Sequence, residues 1–265
     1  MRLVTKKSFI ANFRRYSIRY GEKLQKYCNN TNEKNIHDIR TSSRRLHVSF
    51  TLLNKKIQSK PEISNYFKLS KLLFRYNSQI RDIDIICRHL KLYQNKESYR
   101  LQDYQKRKRG KKLKSAMNLA LKLRDLKLPE IDEKYISTKK IRSKFEKEKK
   151  RLLDRIVKDI PYVTSDHKRI EELHELRKSC KKLRYLLELL PKEEKTISRL
   201  IKMQDKLGSI HDFDITITFL NRCKQNSIVQ SLIRGEANQR DNTFQEFSEN
   251  MREFRNSKNK FNLSI

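Results

Sequence analysis

The sequence is poor in the residues that interrupt regular secondary structure. Its 265 residues include only four glycines, four prolines and no tryptophan. A β-sandwich or β-barrel needs many tight turns, which glycine and proline largely supply, so this composition argues against both classes. The abundance of lysine, leucine, arginine, isoleucine and glutamate favours long helices instead. The sequence therefore predicts an all-α fold.

The chain also lacks paired cysteines and long apolar runs. Its four cysteines, at positions 28, 87, 180 and 223, form no C-x-x-C pair. We therefore expect reduced thiols in a cytoplasmic protein rather than a disulfide framework or a zinc site. No run approaches the length of a membrane span, and the first ten residues lack the apolar core of a signal peptide. These absences predict a soluble protein with no membrane association.

Acidic residues are scarce relative to basic residues. The chain has 64 lysines and arginines against 31 aspartates and glutamates, which gives a formal net charge of +33. Such an excess repels itself and attracts polyanions. Nucleic acid, an anionic membrane surface and free polyphosphate all fit this charge as partners. Nothing in the sequence requires a cofactor.

One basic motif occurs twice. HDIRTSSRRLH at 37–47 and HELRKSCKKLR at 174–184 align with an offset of 137 residues, and we name them the first and the second cassette. The alignment pairs four positions in order: His37 with His174, Arg40 with Arg177, Arg44 with Lys181, and His47 with Arg184. A motif that recurs in this way indicates a repeated structural unit.

A second repeated motif follows each cassette. IRDIDI at 80–85 and IHDFDI at 210–215 are offset by 130 residues, as are Pro61 and Pro191, where we expect new helices to begin. The two offsets differ by seven residues, about two helical turns, so the helix faces stay in phase. We therefore predict an internal duplication with domains at 1–128 and 129–265. The expected helical segments are 3–28, 34–58, 61–95 and 97–126 in the first half, and 137–159, 167–189, 192–222 and 224–258 in the second.

Placed on a helix, each cassette has one basic face and one apolar face. The four aligned residues of the first cassette fall within a sector of about 80°, on a stripe about 15 Å long. Like charges at this spacing destabilise a helix unless a polyanion supplies the countercharge. Arginine has forked donors that match phosphate oxygens, lysine adds a point charge, and histidine donates a hydrogen bond. The stripe therefore favours a run of phosphates, with a solvated basic face as the alternative interpretation.

The aspartates of the second motif do not form a simple metal site. Asp82 and Asp84, like Asp212 and Asp214, are two residues apart and point about 200° apart on a helix, a poor arrangement for one ion. We expect one acid of each pair to reach the cassette helix and orient a basic side chain. Arg81 and His211 are expected to extend the anion-binding surface. The lysine-rich stretch 105–114 is expected to be a solvated helix surface.

These motifs resemble the CHAD family, the conserved-histidine α-helical domain. Its pattern is a repeated H-x-x-R-x-x-x-[RK]-[RK]-L-[RH] helix, each copy followed by an [RH]-D-x-D helix, and the resemblance covers nearly the whole chain. It implies two four-helix bundles related by pseudo-twofold symmetry around a basic central cavity. It also implies binding of inorganic polyphosphate, and in some bacteria association with polyphosphate granules. The residues that would bind polyphosphate are His37, Arg40, Arg44, His47, Arg81, His174, Arg177, Lys181, Arg184 and His211.

The expected function is therefore non-catalytic binding of polyphosphate by a cytoplasmic protein. Two alternatives remain open. A metal-dependent phosphohydrolase of the HD type is one, because His174, His211, Asp212 and Asp241 occur in the order H…HD…D. A general nucleic-acid-binding protein is the other, because the net charge suits it, although the aromatic residues do not alternate with the basic residues as a base-stacking surface requires.

Overall fold

The computed structural model describes residues 4–190 and 193–256, and this part of the chain forms helices and no strand. One short 3₁₀ helix spans Glu133–Tyr135. The α-helices, in chain order, are α1 Lys6–Asn29, α2 Glu33–Thr51, α3 Lys55–Gln58, α4 Pro61–Leu90, α5 Lys96–Arg124, α6 Thr138–Thr164, α7 Ile170–Leu187, α8 Glu194–Asn221 and α9 Ser227–Asn256. The all-α prediction is confirmed.

One predicted helix is broken. The segment expected at 34–58 ends at Thr51 and resumes as the four-residue α3. Asn54 causes the restart, because its side chain accepts a hydrogen bond from the backbone N–H of Ile57 and so caps a new helix. α4 begins at Pro61 as predicted, whereas Pro191 and the outermost predicted positions 3, 192, 257 and 258 lie outside the described residues.

Capping side chains also define where the first two helices begin. Thr5 and Ser8 form a reciprocal capping box at the start of α1, with side-chain-to-backbone bonds in both directions. Asn32 caps α2 by accepting from Asn35, and Glu33 follows in the first turn, where a negative charge favours the helix dipole. The position of the first cassette on α2 is therefore determined by local sequence.

The chain divides into two compact units, which we name the N-terminal and the C-terminal unit. Among the described residues, the N-terminal unit comprises 4–87 together with Arg100–Lys147, and the C-terminal unit comprises Arg88–Tyr99 together with 148–190 and 193–256. Each unit is therefore discontinuous in sequence, whereas the duplication predicted from the motifs has contiguous halves, 1–128 and 129–265. That duplication stays a prediction.

The core of the N-terminal unit brings α1, α2 and α4 together through aromatic residues. The buried rings of Tyr20 and Tyr66 meet edge to face at 6.2 Å between centroids. Phe50 of α2 stacks on Phe67 of α4 at 3.6 Å. The Tyr27 hydroxyl donates a 2.9 Å hydrogen bond to the amide oxygen of buried Asn77. These contacts fix the face that α2 turns away from the core, which is the face with the cassette stripe.

The core of the C-terminal unit is mainly aliphatic. α8 packs against both α7 and α9. The buried residues of this core include Leu173, Leu176, Leu183, Leu207 and Phe247. Burial raises the pKa of the Cys180 thiol to about 12, so this cysteine is an inert core residue. None of the helices in residues 4–190 and 193–256 has the length and apolarity that crossing a bilayer requires.

Candidate anion-binding surfaces

The first cassette lies on α2 as the helical wheel predicts. Ile39 and Leu46 are buried in the core, whereas His37 is exposed and Arg40 and Arg44 are half-buried. Both guanidinium groups lie over the ring of Phe74 on α4, at 5.8 Å for Arg40 and 5.0 Å for Arg44. The negative face of the ring attracts the two cations and holds them side by side.

Arg81 joins this stripe from α4. Its Nη1 lies 3.3 Å from the carboxylate of Glu33, at the start of α2. The pKa of His37 is lowered first by partial desolvation and then by the positive charges of Arg40 and Arg81. Electrostatics thus links His37 to these two arginines, and the structure brings the four residues His37, Arg40, Arg44 and Arg81 together in the N-terminal unit.

His47 has a different environment from the rest of the first cassette. Its Nε2 lies 2.9 Å from the hydroxyl of Ser70, and its ring lies 5.5 Å from that of Phe67. Burial lowers its pKa to about 4, with a smaller contribution from Lys71. This imidazole is neutral near pH 7 and occupied by an internal hydrogen bond. We therefore leave it out of the anion-binding surface proposed below.

The second cassette lies on α7 in the same arrangement. Leu173, Leu176, Cys180 and Leu183 are buried in the core. The stripe residues His174, Arg177, Lys181 and Arg184 are all half-buried. Each of them keeps part of its side chain at the surface while its stem packs against protein.

His174 and His211 form a stacked pair in the C-terminal unit. Their ring centroids are 4.6 Å apart and their planes differ by 17°. The pKa of His174 is lowered to about 4, first by burial and then by His211, with smaller contributions from Lys178 and Arg177. His174 is therefore neutral near pH 7 and offers a hydrogen bond without a charge until an anion raises its pKa.

Two further contacts shape the second stripe. Gly208 on α8 lies beside the Arg177 side chain, and a Cβ at this position would meet the guanidinium Nη2 at an ordinary contact distance of 3.4 Å. Arg184 lies over the ring of Tyr185 at 4.4 Å and reaches the Glu188 carboxylate at 3.6 Å. The carboxylate of Glu188 therefore offsets part of the charge at this end of the stripe.

We name the second repeated motif, at 80–85 and 210–215, the IRDIDI-type motif. Each copy makes an ionic contact with another helix that the sequence did not predict. The sequence predicts that one acid of each pair reaches the cassette helix and orients a basic side chain there. Asp84 and Asp214 do not serve this role: Asp84 accepts a 2.6 Å hydrogen bond from Arg109 on α5, and Asp214 accepts a 2.5 Å hydrogen bond from Arg240 on α9. Both aspartates therefore bind an arginine of the following long helix.

A weak sequence signal for these arginines existed. Asp84 and Asp214 are 130 residues apart, and Arg109 and Arg240 are 131 apart, close to the repeat offset. Arg109 lies within the lysine-rich stretch 105–114, which we expected to be solvated throughout. Neighbouring Lys106, Arg107 and Lys108 are exposed, so that expectation holds for most of the stretch but is wrong for Arg109 and for Gln105, which is buried.

The groups that an HD-type metal site would need are only partly assembled. His174 and His211 meet, but Asp241 accepts from the Nδ1 of His167 at 3.0 Å and from Arg240 at 3.3 Å. Among the residues that the structure describes, no cluster of three or more histidine, cysteine, aspartate or glutamate side chains is arranged to hold a metal.

Comparison with known proteins identifies the fold. The family model described as the CHAD domain matches residues 19–221. The crystal structure of the CHAD domain from the plant Ricinus communis is similar, with a TM-score of 0.66 and 17% identity, over 93% of this chain and 92% of that chain. PptA from Streptomyces chartreusis is also similar, with a TM-score of 0.55 and 13% identity, over 92% of this chain and 99% of that chain.

At these identities the two structures show a shared fold and nothing finer. No curated protein matches the chain. The family model, however, spans both cassettes and both IRDIDI-type motifs, and it covers well over half of the sequence. The chain belongs to the CHAD domain family.

Proposed function

We propose that this protein binds inorganic polyphosphate non-covalently through its two cassettes and does not process it chemically. The observation that carries the proposal is the recurrence of one set of groups in both units. Each set contains a cassette histidine, the arginine three residues later and a further cation four residues beyond. These groups share a surface with the basic residue of the IRDIDI-type motif, which is Arg81 in the N-terminal unit and His211 in the C-terminal unit.

The chemistry of this set suits a chain of phosphates. Arginine donates two parallel hydrogen bonds to phosphate oxygens, and lysine adds charge without directional demands. The second stripe runs about 15 Å along α7, and the first, from His37 to Arg44, runs about 10 Å along α2. Both are longer than a single phosphate group needs. The net charge of +33 draws a polyanion to the protein from any direction. A linear polyanion that touches several cations in succession uses the whole stripe.

Polyphosphate fits these surfaces better than nucleic acid does. Sequence-independent binding of single strands relies on exposed aromatic rings on which bases stack. The ring of Phe74 lies beside the first stripe, and the guanidinium groups of Arg40 and Arg44 lie over it. The surface therefore offers donors for phosphate and little for a base. Membership of the CHAD family supports the same ligand.

A binding role rather than catalysis agrees with how the nearby carboxylates are used. Asp84 and Asp214 lie one helical turn from Arg81 and His211, and a hydrolase would use such acids as metal ligands or as a general base. Both carboxylates instead accept hydrogen bonds from arginine. We further propose a cytoplasmic location, where the four free cysteines would remain reduced, with association with polyphosphate granules.

The proposal is tested by titrating purified protein with long-chain polyphosphate in the presence of competing duplex DNA or RNA at matched phosphate concentration. We expect tight polyphosphate binding that nucleic acid does not displace. The variant Arg40→Ala/Arg177→Ala removes one arginine from each stripe and should weaken binding about 10- to 100-fold, the loss of two charge-assisted contacts. Circular dichroism should show unchanged helicity.

A matched control separates the cassettes from net charge. The variant Arg107→Ala/Lys158→Ala removes two exposed cations, one from each unit and neither from a stripe, and should bind within about twofold of wild type. Affinity should also fall steeply with salt, as it does for proteins that neutralise nucleic-acid phosphates. If both double variants lose affinity equally, or if DNA and RNA compete equally well, the protein is a generic cationic surface and the proposal is wrong.

A further inference from the structure

The ion pair between Arg240 and Asp214 is one of the most deeply buried in the C-terminal unit. The two side chains are only 7% and 10% exposed, and the Arg240 Nε donates to the carboxylate at 2.5 Å. Arg240 also donates to the backbone carbonyl of His167 at 2.8 Å, just before α7 begins. One guanidinium from α9 therefore connects α8 to the segment that leads into the second cassette.

The N-terminal unit contains a corresponding pair. Arg109 of α5 donates from its Nε to Asp84 of α4 at 2.6 Å, and the Asp84 side chain is 5% exposed. Burial raises the pKa of Asp84 and of Asp214, and in both cases the bound arginine opposes that shift. Removing either arginine alone would leave a buried carboxylate without its partner, which is costly.

The position of each aspartate along its helix connects the pair to the anion-binding surface. Asp214 follows His211 by three residues, and Asp84 follows Arg81 by three residues. Residues three apart on a helix lie on the same side, one turn from each other. A carboxylate held by an arginine of another helix therefore constrains the rotation of the helix at the point where His211 or Arg81 leaves it.

The geometry points to a role that rests on the function proposed above: we infer that Arg109 and Arg240 are positioning residues of the two anion-binding surfaces. Each holds the aspartate of its IRDIDI-type motif, and so turns Arg81 toward the first cassette and His211 toward the second. Neither arginine needs to contact the polyphosphate.

The size of the expected displacement explains why the pairs matter. With side chains included, a helix has a radius of about 5–6 Å, so a rotation of about 20° moves a surface group by about 2 Å. The stacked rings of His174 and His211 are 4.6 Å apart, and a shift of this size would separate them. It would also exceed the tolerance of a hydrogen bond to a phosphate oxygen.

The test replaces the buried pair without changing net charge. The variant Asp214→Asn/Arg240→Met removes one negative and one positive charge together and leaves no isolated buried ion. The control Lys206→Met/Glu246→Gln removes an exposed ion pair that also joins α8 to α9, again with no change in net charge. Two quantities are measured in each variant: polyphosphate affinity, and the titration of the His174 ring followed by NMR.

We expect the buried-pair variant to bind polyphosphate about tenfold more weakly, as if one charge-assisted contact were lost, while the control binds like wild type. The NMR titration should show His174 taking up its proton at higher pH in the buried-pair variant, because His211 no longer lies against it. A variant that is only less stable would melt earlier but titrate at His174 as wild type does.

The corresponding variant of the N-terminal unit is Asp84→Asn/Arg109→Met. It should raise the pKa of His37, because Arg81, whose charge lowers that pKa, would no longer be held beside the ring. Unchanged titrations of both histidines, with affinities equal to that of the control, would overturn the inference. If wild-type protein fails to bind polyphosphate, the proposed function falls, and the histidine titrations still decide whether the arginines position the surfaces.

Discussion

Acidification is expected to tighten polyphosphate binding, because it allows His174 to become a cation when phosphate is near. In the free protein, burial and the neighbouring His211 lower the pKa of His174 to about 4. Arg177 and Lys178 act in the same direction, whereas Glu175 opposes them. A bound polyanion places negative charge beside the ring and raises its pKa, so binding is coupled to the uptake of a proton.

The magnitude follows from the two pKa values of this ring. If bound phosphate returns the pKa of His174 from about 4 to its ordinary value of 6.5, the linkage at pH about 5.5 amounts to about a tenfold gain in affinity. At pH about 7.5 the ring is neutral in both states, and the gain is close to zero. Affinity should therefore rise about tenfold between these two pH values through His174 alone.

The assay is isothermal titration calorimetry with long-chain polyphosphate at both pH values and constant ionic strength, in two buffers of different ionisation enthalpy so that proton uptake is counted directly. The variant His174→Gln should lose most of the pH dependence. His47→Gln is the matched control, because His47 also has a pKa of about 4 but hydrogen-bonds Ser70 instead of belonging to the stripe. Equal pH dependence in wild type and His174→Gln would refute the reasoning.

Three further predictions concern stability. The pKa of His47 is about 4 in the folded chain and near 6.5 when unfolded, so its contribution to stability is present above pH 6.5 and is lost as pH falls toward 4. In urea denaturation, the free energy of unfolding should fall between pH about 7 and 5 by about 1–2 kcal/mol less in His47→Gln than in wild type. Gly208→Ala should raise the free energy of unfolding by about 0.5–1 kcal/mol, because a helical alanine is preferred and its methyl group meets only ordinary contacts at 3.4 Å. Gly235→Ala should instead destabilise the protein, because its Cβ would lie 2.7 Å from the Tyr93 hydroxyl; thermal melts that rank the two variants in the opposite order would contradict both arguments.

The two anion-binding surfaces have different charge chemistry. The IRDIDI-type motif of the N-terminal unit contributes the guanidinium of Arg81. The motif of the C-terminal unit contributes His211 instead, stacked on His174. Each surface also contains a cassette histidine with a lowered pKa, either His37 or His174, so the two surfaces differ in the group that the motif adds.

Local patterns were sufficient for most of the secondary structure and for most members of each stripe. Low glycine and proline content predicted helices, and helical periodicity placed Ile39 and Leu46 inside and Arg40 and Arg44 outside, as observed. Asn54 is an informative exception, because its capping hydrogen bond ended one predicted helix and started another. A capping asparagine can be recognised from sequence, but whether it interrupts a helix depends on competing contacts over many residues.

The cassette alignment paired two residues that have different environments. His47 and Arg184 occupy the same motif position, yet the first is held by Ser70 in the interior and the second lies over Tyr185 near Glu188. Ser70 is 23 residues from His47, on another helix. A motif specifies which face of a helix a residue occupies, but not which neighbour meets that face.

By itself, the sequence determined that this protein is helical, that it is strongly cationic, and that its cations form two matching stripes, since all of these follow from composition and from spacing along a single helix. Only the tertiary structure decided which acids hold which arginines, because Asp84 and Arg109 are 25 residues apart and Asp214 and Arg240 are 26 apart on separate helices. Such pairs depend on how helices pack, and helix packing is set by the whole core rather than by any one motif.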